Sequence, residues 1–197
     1  QYLWGSIMSI GNVLSVLLLL SSSCFFSGSL SAAETGTLTV RFGHTTEDTF
    51  KARHPDAINR GFNENLKGTI YQISYQVSPD SFHFDGMKNA FILFGQNKNL
   101  MAIHIQFDGD YSGIVGAFLA KKYTAVINKK PLIGTRYMEL YNKGVSIYMR
   151  TRLFSNTSVF YITIDEKNKI LENTPTNSIS DENELLDFLI EQCFPKL

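Results

Sequence analysis

The spacing of apolar residues changes along this chain, and each change marks an element. Residues 10–20 are almost wholly apolar and end in Val16-Leu17-Leu18-Leu19-Leu20. Leu38, Val40 and Phe42 then alternate with polar residues, as in a short strand. Thr45 or Thr46 reads as a helix cap, with Glu47 and Asp48 in the first turn, where the helix dipole favours anions. The helix is expected over 47–53, stopping before Pro55 because the residue preceding proline avoids helical geometry. After an Asn- and Gly-rich loop, residues 69–77 alternate: Tyr71, Ile73, Tyr75 and Val77 share one face, and Gln72, Ser74 and Gln76 the other. Residues 90–94 and 100–107 read as two more strands, joined through the hairpin loop Gly95-Gln96-Asn97-Lys98-Asn99.

Helical spacing returns at 111–123, where Ile114, Val115, Phe118 and Leu119 share a face and Lys121 and Lys122 close the last turn. A linker with Lys129, Lys130, Pro131 and Gly134 follows. Strands are expected over 137–141, 145–153 and 158–165. Ser180 caps a final helix, 180–193, with a buried stripe of Leu185, Leu186, Phe188, Leu189 and Ile190. The order is helix, three strands, helix, three strands, helix. It predicts an α+β fold of two tandem units, 38–107 and 108–165, each a helix with a three-stranded antiparallel sheet, plus the C-terminal helix. The helices would pack on one sheet face and leave the other wet, carrying Tyr, Gln, His and Arg.

The N-terminal run bears on address. Its apolar core is too short for a membrane span of roughly 20 residues, and Ser31-Ala32-Ala33 follows it. That order predicts a signal peptide over 1–33, a single domain over 34–197 and a periplasmic or secreted location. Cys24 offers a lipid anchor as the alternative, but Leu20 sits one place too early for a lipobox, which favours the soluble form.

Charge and cysteines narrow the class. The chain has 18 basic and 18 acidic residues, a balance that gives no electrostatic reason to seek nucleic acid. Beyond residue 33 the one cysteine is Cys193, so stability must come from a packed core and not a disulfide. No nucleophile elbow, phosphate loop or dinucleotide glycine pattern occurs, so no cofactor is expected. Gly113 and Gly116 read as sites of close helix packing, and Cys193 as a buried thiol. His83, Asp85 and His104 fall on neighbouring strands and form the only candidate metal or hydrolytic cluster, against the plainer reading of a solvated polar face. The more suggestive group is Tyr137, Tyr141, Tyr148, Arg150, Arg152 and Tyr161, since Tyr and Arg dominate interface hot spots.

The run Val40-Arg41-Phe42-Gly43-His44-Thr45-Thr46-Glu47-Asp48 resembles the helix entry of small bacterial envelope lipoproteins of the SmpA/OmlA type, whose wider fold group includes the tandem β-lactamase inhibitor proteins. The resemblance implies short helices paired with antiparallel sheets, and it carries no binding residue over. The functional expectation is an exported, non-enzymatic envelope protein that binds a protein or envelope component through an exposed sheet face. The alternatives are a small hydrolase or metal-dependent enzyme, and a carrier of a small apolar ligand.

Overall fold

The local chemistry of Thr46 starts the first helix. In the computed structural model, which describes residues 40–74, 86–131, 134–152, 156–174 and 179–195, the Thr46 hydroxyl accepts from the Thr49 amide while the Thr49 hydroxyl accepts from the Thr46 amide. This reciprocal cap opens α1 (Glu47–Arg53), which buries Phe50 completely. Phe42, expected to end a strand, lies with Gly43 and His44 in a turn: the Arg41 carbonyl accepts from both His44 and Thr45 amides.

Eight strands follow in two groups of four. The first is β1 (Ile58–Asn63), β2 (Gly68–Ser74), β3 (Met87–Phe94) and β4 (Leu100–Phe107). After α2 (Ser112–Lys122) comes the second: β5 (Thr124–Lys129), β6 (Arg136–Asn142), β7 (Val145–Thr151) and β8 (Thr157–Thr163). The chain ends in α3 (Ile164–Glu172) and α4 (Glu182–Cys193). All strands join one antiparallel sheet in the order β1-β2-β3-β4-β8-β7-β6-β5. Each group is a meander, and the meanders meet where β4 pairs with β8. A single register row crosses the whole sheet: Ile58, Gln72, Phe91, His104, Phe160, Tyr148, Glu139, Ile127.

Side chains alternate across a strand, so the sheet has two apolar faces. One face packs Tyr71, Ile92, Ile103, Ile147 and Leu140 against Phe50 of α1 and Val115 and Leu119 of α2. The opposite face packs Phe91, Tyr148 and Phe160 against Ile170 of α3 and Leu186, Leu189 and Cys193 of α4. The fold is therefore a three-layer sandwich.

Two expectations are corrected. There are not two helix-plus-three-strand units: one eight-stranded sheet runs through the domain, because Ile58–Asn63 and Thr124–Lys129 add an outer strand to each group. The helices do not lie on one face either. Residues after β8 form α3, a helix absent from the sequence reading, and together with α4 it closes the face expected to stay wet.

Candidate functional site

The final helix owes its position to its cap and its charges. Asp181 caps it, accepting from the amides of Asn183 (2.7 Å) and Glu184 (2.9 Å), one residue later than the expected Ser180. Its apolar stripe, Leu186, Leu189 and Cys193, lies on the sheet with no exposed surface. Asp187 projects beside that stripe and accepts from Arg150 at 2.5 Å and Arg152 at 2.8 Å. Burial pushes the Asp187 carboxyl up, but the hydrogen bonds and charges of Arg150 and Arg152 together outweigh it and hold the carboxyl below its usual range. At the far end of the helix, Asn63 donates to the carbonyls of Gln192 (2.7 Å) and Cys193 (3.0 Å), which fastens α4 to β1.

The six Tyr and Arg positions do not form one surface. Tyr137, Tyr148 and Arg150 are buried on the face that α4 covers. Tyr148 stacks on Phe160 with ring centroids 6.2 Å apart, and the Lys167 ammonium lies 5.3 Å from its ring centre. Burial pushes the hydroxyls of Tyr137 and Tyr148 well above the ordinary tyrosine range, so both stay neutral. Tyr161 is half-buried on the opposite face, near Phe42. Tyr141 and Arg152 are exposed.

Of the candidate metal cluster, His83 and Asp85 lie outside the described residues. His104 is buried at the centre of the register row, and neither ring nitrogen has a hydrogen-bond partner among the described residues. Burial, with the Arg150 charge second, holds its pKa down to about 4. Among the described residues no group of three or more His, Cys, Asp and Glu is arranged to hold a metal ion. Beside His104 a row of polar side chains runs from β1 to β4: Arg60 donates to Gln72, Gln72 to Asn89 at 2.7 Å, and Asn89 to Gln106 at 3.4 Å. Cys193 is fully buried, which pushes its thiol far above the range of a reactive cysteine.

An exposed surface of distinct chemistry lies at the β5 edge, where the sequence predicts a linker. β5 ends the sheet, and its register slips between Ala125 and Ile127, so Val126 bulges outward with 63% of its surface exposed. Basic residues flank it. Lys121 and Lys122 close α2; Lys129, Lys130 and Arg136 line a cleft of 380 Å³ with Ser112 and Tyr137; and Lys143 sits in the β6–β7 turn. Between Ser112 and Ser146 the one acidic residue is Glu139, so a neutral chain concentrates six positive charges here. Lys129 pairs with Glu182 at 2.6 Å, Arg136 donates to Ser112 and lies 3.5 Å from Asp110, and the Lys122 ammonium lies over the rings of Phe118 and Tyr123. The signal that would have exposed this edge is the basic run itself, since apolar alternation is missing there.

Among the described residues no helix is long and apolar enough to cross a membrane. No protein-family model matches the chain, and neither the curated proteins nor the solved structures give a match.

Proposed function

We propose that the protein is an exported, non-enzymatic binding module that takes an extended, acidic segment of a partner protein along the edge of β5. The observation that carries this reading is the exposed outer strand with its bulged Val126 and its flanking lysines. A sheet edge presents backbone donors and acceptors to an added strand, and this pairing supplies affinity for extended peptides. The basic flanks select acidic sequences and speed encounter. The recognition surface thus moves from the sheet face, which helices cover, to the sheet edge. Export is supported by the apolar core and the small residues at 31–33.

A photo-crosslinking amino acid at position 126 tests this in the native producing cell. The expected product is a crosslink to an extended, acid-rich segment of an extracytoplasmic protein, lost when Lys121, Lys122, Lys129 and Lys130 are replaced by Ser. No protein crosslink, or one confined to lipid, would overturn the reading.

A further inference from the structure

We propose that α4 is an acid-released cover: protonation of His104 loosens the helix from the sheet and exposes the β6–β8 face together with the Cys193 thiol.

The geometry around His104 carries the argument. The ring sits among Phe91 (6.3 Å between centroids), Phe160 (6.3 Å) and Phe194 (6.2 Å). Phe194 is the residue that ends α4, so the helix itself forms the lid over the imidazole. An imidazolium must donate from both nitrogens, yet neither has a partner among the described residues. The charges that act on it are Arg150 on β7, which opposes a second cation, and Asp187 on α4, which Arg150 and Arg152 already occupy. From β3 and β8 the register neighbours are the aromatic Phe91 and Phe160, and on β4 the next residue on this face is Gln106. α3 places Glu166 near Cys193, with Lys169 3.3 Å from that carboxylate.

The site must open for the proton to be solvated, and two routes exist. β4 is laddered on both sides, by β3 and β8, so separating it breaks two sets of backbone hydrogen bonds. α4 is held by side-chain packing, the Asp187 and Glu182 ion pairs, and Asn63. Local opening follows the less costly route, which is the helix.

Cys193 reports the motion. The chain would be treated with 4,4′-dithiodipyridine, which reacts in acid, from pH 7.5 to pH 4.5. Labelling would be read peptide by peptide to separate Cys193 from Cys24, and normalised to the denatured chain at each pH. Cys193 is expected to be protected at pH 7.5, with relative labelling rising up to about tenfold per pH unit below about 6.5, the response of one proton. His104→Phe, or His104→Leu if the first does not fold, should flatten the rise. In wild type, amides of β3 and β4 should keep their exchange protection at the pH where those of α4 lose it. Cys193 protection unchanged at pH 4.5, a rise that persists without His104, or simultaneous loss of sheet and helix protection would each overturn the proposal. Should neither variant fold, the order of amide exchange in wild type decides it.

Discussion

Arg150 reaches from the C-terminal end of β7 to Asp187 on α4, and the two side chains meet at 2.5 Å with the arginine almost wholly buried and the aspartate half exposed. The asymmetry matters because the buried partner suffers when the pair is broken. Asp187→Ala leaves the Arg150 guanidinium under α4 without its carboxylate. The expected loss is about 2 kcal/mol, the scale of a hydrogen bond to a charged group, measured by urea denaturation. Arg152→Ala removes only the exposed contact and should cost well under about 1 kcal/mol.

Stability should depend on pH through His104. Its folded pKa, about 4, lies below the value of 6.5 it has when unfolded. The unfolded chain therefore takes up a proton first as the pH falls. Stability is intact above about 6.5, declines below it, and has fallen by roughly 3 kcal/mol near pH 4. Denaturation midpoints at pH 7.5, 5.5 and 4.5 should fall in wild type and fall far less in His104→Leu. An equal decline in both would assign the effect to other groups. Asp187 contributes with the opposite charge but the same outcome: its pKa is depressed, so its share is lost only as the pH drops below the ordinary carboxylate range.

Two glycines should respond in opposite directions to alanine. A methyl group on Gly68 would stand 2.5 Å from the Phe94 carbonyl oxygen, which is backbone and cannot step aside. Gly68→Ala should lower stability by about 2 kcal/mol through overpacking. Gly113 in α2 has nothing within 4 Å of that position. Gly113→Ala should be neutral or raise stability by up to about 1 kcal/mol, as Ala does over Gly in helices. Thermal melts of both variants check the pair.

Val126→Asp should abolish strand addition at β5 and leave the fold intact, because the bulged side chain faces solvent. The expected result is an unchanged melting temperature within a few degrees and loss of the acidic-segment crosslink, with the photoprobe moved to position 128. Retained crosslinking would remove the edge from consideration.

The inner strands were legible in the sequence and the outer ones were not, for a common reason. Tyr71-Gln72-Ile73 and the matching positions of β3, β4, β7 and β8 lie in or beside the two cores, so burial imposes a pattern on them. β1 and β5 end the sheet, are almost wholly exposed, and both carry a bulge that breaks alternation. Nothing in Ile58-Asn59-Arg60-Gly61 or Ala125-Val126-Ile127 therefore reads as period two. The same blindness misplaced the site. Tyr137, Tyr148 and Arg150 have the residue types of an interface, and the partner they meet within this domain is the chain's own final helix. The α1 boundaries were legible because Thr46 and Glu47-Asp48 act locally, whereas α3 follows β8 without a break and its Thr163 cap makes no side-chain bond.

The seam between β4 and β8 has a kinetic meaning. Every other pairing in the sheet joins strands that are neighbours in the chain, while His104 meets Phe160 only after the entire second meander has been laid down. Closing that loop delays the contact, so each meander can acquire hairpins early while the seam sets the pace. Substitutions at Ile105 or Val159 should slow refolding more than equally destabilising ones at the outer ends of the meanders. The centre of the finished sheet would then be the last part of it to come together.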